Sequence, residues 1–170
     1  MDIRKIKLLI NTVKYLKPLQ LYYRFFYFFR NRIISTAAYE KPLPVYKSIN
    51  WKRKLNCPLS YIDKSKSFTF LNITHQFQGK IDWNYEKYGK LWAYNLNYFD
   101  FLNQEGMTKN IGIDLITDYI KNDNILKDGK EPYPISLRGI NWVKFLTENS
   151  IKNTLIDKTL YHHYQILFNN

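Results

Sequence analysis

A chain of 170 residues with 45% hydrophobic and 18% aromatic side chains can bury a core large enough to offset its ordering entropy, which excludes wholesale disorder. Six Gly and six Pro are too few for a sandwich of many short, turn-linked strands. The net charge of +12 is lopsided: residues 1–54 carry 13 Lys/Arg against Asp2 and Glu40, whereas residues 55–170 carry 13 basic and 12 acidic side chains. Basicity is thus an N-terminal property, suited to anionic lipid, acidic polysaccharide or nucleic acid without choosing among them.

The pattern of apolar residues divides the chain into elements. Residues 3–16 predict a short amphipathic helix, with Ile6, Leu9, Ile10, Val13 and Leu16 on one face and Lys5, Lys7 and Lys14 off it. Pro18 marks a break or the first turn of a second helix over 19–34, loaded with aromatics and interspersed with Arg24, Arg30 and Arg32. That helix suits burial against a larger protein; an interfacial membrane helix is the alternative. Neither a secretory leader nor 18 uncharged apolar residues occurs, so the default expectation is a cytoplasmic or peripheral membrane location.

Residues 35–66, with Pro42, Pro44 and Pro58, read as an extended connection packed by Trp51 and Tyr61. Residues 67–74 alternate like a strand, Gly79 offers a turn, and Ile81 and Trp83 a returning strand, predicting a small β-hairpin near 67–83. Helices follow. The first covers 90–103 with an apolar stripe of Leu91, Tyr94, Tyr98, Phe101 and Leu102, and with Asn97 and Asp100 facing away. Others cover 112–122, 136–147 and 154–168.

Chemistry-bearing motifs are missing: no Gly-rich phosphate loop, HExxH or GxSxG is found, and no Cys/His cluster suggests a metal. Cys57 is alone, His75 reads as structural, and the adjacent His162 and His163 point apart on their helix. Asp114 and Asp118 share a helix face and read as solvated. No catalytic residue and no cofactor are therefore assigned. Polar residues on apolar faces are more informative. Asn95 sits between Leu91 and Tyr98 on the stripe, while Arg138 and Asn141 share one edge of an otherwise apolar helix. An Arg there suits a carboxylate or sulfate, and Tyr133 and Trp142 could stack on sugar; tying down loop carbonyls and core packing are the plainer alternatives.

Four strings occur in order: FLN at 70–72, GKIDWN at 79–84, LWAYNLNYFDFL at 91–102 and EPYPISLRGINWVKFL at 131–146. Together they resemble the N-terminal region of heparinase II/III-like polysaccharide lyases, and YLKPLQLYYR at 15–24 is similar to the start of the branch found in exopolysaccharide gene clusters. The resemblance implies a mainly α fold, a partial α/α toroid of helix pairs that starts at residue 67. It also implies an acidic, uronate-containing polysaccharide as partner, and β-elimination as the parent's reaction. Members of the family often act in the periplasm or outside the cell. Family members use an Asn–His motif, a Tyr and a further His; no such motif occurs in residues 1–170, so the expectation is a truncated lyase part, inactive alone. Asn95, Tyr98, Arg138, Asn141 and Trp142 match recurrent positions of the family's helical domain, and with Tyr133 form the expected substrate-binding set. The alternative function is a non-enzymatic module that binds glycan, or anionic membrane through residues 1–34. Nucleic acid is not expected, since no recognition helix or RNA-binding signature is present.

Overall fold

The computed structural model describes residues 3–33 and 57–169. Most of the predicted connection over 35–66, with Trp51, lies outside the described residues. The chain divides into two units, one carrying the N-terminal helices and the other the described residues from Cys57 to Phe168. The described residues are mainly helical, with one small antiparallel sheet.

In the first unit, α1 spans Ile3–Lys14 and α2 spans Pro18–Ile33. Pro18 opens α2 where a missing N–H costs nothing, and the Gln20 side chain accepts from the Lys17 backbone N–H at 2.9 Å, half of a capping box. On α2, Tyr22 stacks on Phe26 and Tyr23 on Tyr27, at centroid distances of 6.2 and 6.1 Å, as side chains one turn apart do.

The second unit begins with three strands, β1 Tyr61–Ile62, β2 Ser67–Phe70 and β3 Ile73–Gln76, antiparallel in that order. The single strand expected over 67–74 is thus most of a hairpin. Its two-residue turn is Leu71–Asn72, with φ of 54° and 61°, the doubly left-handed geometry that matches strand twist. The expected returning strand at Ile81 and Trp83 does not form; that stretch is irregular, and the Trp83 ring is buried in the core instead. The sheet takes its third strand from β1, inside the stretch read as a connection. Gln104 stands in for a further strand, accepting from the Ser60 and Tyr61 N–H groups at 3.0 Å and donating to the Tyr61 carbonyl at 2.8 Å.

Four helices follow: α3 Lys90–Tyr98, α4 Lys109–Lys121, α5 Pro132–Glu148 and α6 Thr154–Asn169. Thr108 caps α4 by accepting from Ile111 N–H, and Asn153 caps α6 by accepting from Leu155 and Ile156 N–H. The helix expected over 90–103 stops at Tyr98, because Phe99 turns left-handed at φ 62° and a 3-10 turn, Asp100–Asn103, follows. Both Phe99 and Phe101 enter the core; a straight helix would keep Phe99 in line with Trp92 and Leu96 but turn Phe101 to the opposite side.

The core is chiefly aromatic. Trp83 stacks on Phe99 at 5.0 Å, Phe99 meets Trp142 edge-on at 5.4 Å, and Tyr119 closes on Trp83 at 5.1 Å. Phe68 and Phe70 of the sheet face Phe101 and Trp92, both at 5.2 Å. Each such pair adds about 0.5–1.5 kcal/mol beyond area burial and fixes the ring geometry. Close helix approach needs a notch: Gly112 of α4 lies under the Phe145 ring of α5, where a Cβ would come within 2.1 Å of Cζ.

The buried face of α3 differs from expectation. Trp92, Ala93, Leu96, Asn97 and Tyr98 point inward, whereas Leu91 is 55% exposed. Asn97, expected to face away, is wholly buried; its amide donates to the carbonyls of Trp83 at 2.9 Å and Ala93 at 2.8 Å.

Candidate functional site

Arg138 lies on α5 between neighbours contributed by α3, α4, α6 and the 3-10 turn Asp128–Lys130. Its side chain is entirely buried. Nη1 donates to the Gly129 carbonyl at 2.9 Å and the Asn97 carbonyl at 3.3 Å. The guanidinium carbon sits 4.8 Å from the Tyr119 ring centroid, a cation–π contact. Nη2 lies 3.3 Å from His163 Nδ1. An arginine only donates, so Nδ1 must accept and the imidazole proton resides on Nε2, 3.0 Å from Asp123 Oδ1. The other Asp123 oxygen meets Lys130 Nζ at 2.9 Å. A second branch runs from the Tyr119 hydroxyl to Asn97 Oδ1 at 3.0 Å.

Arg138, Asn97, Tyr119 and His163 are buried, while Asp123 and Lys130 at the end of the network are partly exposed. Burial pushes the His163 imidazole below its ordinary value, with Arg138 adding to the effect, and keeps it neutral. Burial alone would raise the Asp123 carboxyl, but hydrogen bonds from His163 and Lys130 outweigh that and hold it well below the carboxylate range. The Arg138 Nε–H finds no acceptor among the described residues. Sequence reasoning singled out Arg138 but missed Asn97, His163 and Asp123. The signal was an Arg on a helix apolar nearly all round; its partners lie 9 to 41 residues away in sequence.

Both titrating groups act in one direction on stability. Below about pH 6.5 an unfolded His163 takes up a proton that the folded site refuses, so stability falls as pH drops; Asp123 adds a further loss below about pH 4. His163→Gln can accept from Arg138 and donate to Asp123 without titrating. It is expected to flatten the decline between pH 5 and 6.5 (approximate bounds), read as denaturation midpoint against pH.

Asn141 is a second tie. Its amide donates to the Tyr98 carbonyl at 2.9 Å and to the Asp100 carboxylate, and its oxygen accepts from Asn103 at 3.3 Å. The side chain that sequence placed on a cleft edge thus fastens α5 to the kink after α3. Trp142 is wholly buried in the aromatic core, with no partner for its indole N–H among the described residues. Asn95 is not buried as its place on the stripe suggested: it is half-exposed and donates to the Leu91 carbonyl at 2.7 Å.

Tyr98 and Tyr133 do come together. Their rings meet edge-on at 5.5 Å, and Tyr94 joins them at 6.2 Å from Tyr98 and 6.4 Å from Tyr133. Tyr133 is 58% exposed, whereas Tyr98 lies beneath it. Burial and the neighbouring phenols push the Tyr98 hydroxyl up to about 12. At the rim, Glu131 accepts from the Tyr94 hydroxyl and from Lys90 Nζ at 2.6 Å. The result is an aromatic surface with a cation and a carboxylate at its edge, all carried by α3 and the start of α5.

A separate cleft of about 460 Å³ opens between the sheet and α4, lined by Asp63, Lys66, Lys80, Asp114, Asp118 and Lys121 among others. Its charges are of both signs, and none of the six predicted binding residues lines it. Asp118, expected to be merely solvated, accepts from the Trp83 indole at 2.8 Å. His75 stacks on Tyr85 at 4.0 Å, a packing role. Among the described residues no group of three or more His, Cys, Asp or Glu is placed to hold a metal. No family model, curated protein or solved structure matches the chain.

Proposed function

We propose that this chain is the N-terminal part of a polysaccharide lyase resembling heparinase II/III. Its helical unit would form one wall of an incomplete α/α toroid, and the Tyr94–Tyr98–Tyr133 surface would receive an acidic sugar chain. The observation that carries this reading is the meeting of two strings. Residues 91–102 and 131–146, which bear most of the family resemblance, pack against each other as α3 and α5 and bring three tyrosines together at their junction, with Tyr133 exposed, Tyr94 partly so and Tyr98 beneath them. Aromatic rings suit the apolar faces of pyranose sugars, and Lys90 beside them suits a uronate carboxylate. On this reading Arg138, Asn141 and Trp142 hold the wall and do not touch substrate. Residues 1–170 supply binding surface, and the Asn and His of β-elimination come from sequence outside them.

The test is a binding titration of the whole chain with a polyuronate, followed by tyrosine and tryptophan fluorescence. Tyr133→Ala should weaken binding about five-fold with no change in unfolding midpoint, since its ring is largely exposed. No unsaturated product should be seen by ultraviolet absorbance. Equal affinity for the variant would overturn the assignment of the tyrosine surface, and product formed by the chain alone would overturn its lack of catalysis.

A further inference from the structure

We propose that α2, supported by the basic charge of α1, is an anchor that lies in the interface of an anionic lipid bilayer. Seven rings on this helix are exposed: Tyr22, Tyr23, Phe25, Phe26, Tyr27, Phe28 and Phe29 show between 42% and 63% of their surface. That is a large apolar area for one helix to display.

The rings are sorted by type around the axis. At about 100° per residue, Phe25, Phe26, Phe28 and Phe29 fall in an arc of about 160°, which also takes in Leu21 and Tyr22. Tyr23, Tyr27, Gln20 and Arg24 fall on the opposite side. Arg32, in the last turn, is the exception. A Phe face backed by Tyr, Gln and Arg is the arrangement of a helix lying in a membrane interface, with rings toward the acyl chains and hydroxyls and cations among the headgroups.

Length and charge identify the occupant. Sixteen residues make about 24 Å of helix, short of the roughly 30 Å hydrocarbon core, and no described helix is long and apolar enough to cross a membrane. The helix therefore lies along a bilayer rather than through it. From Ile3 to Ile33 there are eight Lys/Arg and no acidic residue, which favours a surface of anionic headgroups over a zwitterionic one. This inference is independent of the lyase reading, since it draws on neither the tyrosine surface nor the second unit.

The experiment is co-sedimentation of the full chain with phosphatidylcholine vesicles, with and without phosphatidylglycerol as a minor component. Partition onto the mixed vesicles should exceed that onto phosphatidylcholine alone by about ten-fold or more, and should fall steeply at high salt. Replacing Phe25, Phe26, Phe28 and Phe29 together by Ser should lower it about ten-fold or more. Replacing Tyr23 and Tyr27 by Ser should leave it within about two-fold. Circular dichroism confirms that each variant keeps its helices; if the Phe variant does not, the lipid and salt dependence of the unaltered chain decides. No binding to mixed vesicles, equal binding to both compositions, or a folded Phe variant that binds as before would overturn the proposal. So would a Phe variant that loses only self-association, since the face would then pair with a second copy.

Discussion

Replacing Arg138 with methionine lowers the stability of the helical unit by about 3 kcal/mol, seen as a lower urea midpoint. The side chain is wholly buried and ties two backbone carbonyls, the imidazole of His163 and the face of Tyr119. Methionine fills much of the volume but donates nothing, and each orphaned buried acceptor costs about 1–3 kcal/mol. Part of that loss is offset, because burial disfavours the charge and pulls the Arg138 pKa down. Arg138→Lys should recover little, since a single ammonium cannot reproduce the planar fork that reaches Gly129 and His163 at once. A methionine variant as stable as the parent would show that the guanidinium is dispensable to the fold.

Trp142→Ala should cost about 3–5 kcal/mol, the range for truncating a buried aromatic. Trp142 is fully enclosed between Phe99, Tyr119 and His163, at 5.4, 5.9 and 6.2 Å. Its indole N–H makes no hydrogen bond among the described residues, so Trp142→Phe should lose only part of that amount. The contrast with Tyr133 is diagnostic. Both residues resemble sugar-stacking positions in sequence, but one should alter the unfolding midpoint and the other the polyuronate titration. A Trp142→Ala variant with parental stability and impaired glycan binding would reverse these roles.

Which features were legible in the sequence follows from how local their causes are. The helices α4, α5 and α6 were predictable because their apolar residues recur along one face. The face of α3 was misassigned because Leu91, Tyr94 and Tyr98 make as regular a stripe as Trp92, Ala93 and Leu96; the choice is made by the sheet, where the Trp92 indole donates to the Ile73 carbonyl at 3.1 Å. Asn97 was misplaced for the same reason, since its partner at Trp83 comes from an irregular segment. The turn at Leu71–Asn72 lacks the Gly or Pro that usually announces one, so the hairpin read as a single strand. On α2, counting Tyr and Phe alike as apolar hid the sorting of the two around the axis. For the site, local sequence pointed to Tyr133, Arg138 and Asn141, and the family resemblance to Tyr98. Only three-dimensional contact separates the exposed Tyr133 from Tyr98 buried beneath it and from the two that are fasteners.

Two glycines described above bear on what a mutational scan of this chain would report. At Gly112 a methyl group would strike the enclosed Phe145 ring, and at Gly129 it would come within 2.2 Å of Asn97 Oδ1, in the middle of the Arg138 network. Neither atom is the free end of a mobile side chain. Both positions should therefore tolerate almost no substitution, and in a survival map they would resemble an active site. Intolerance at 112 and 129 would measure clearance between backbones, while a residue such as Tyr133, open to solvent, would register only under selection for a ligand.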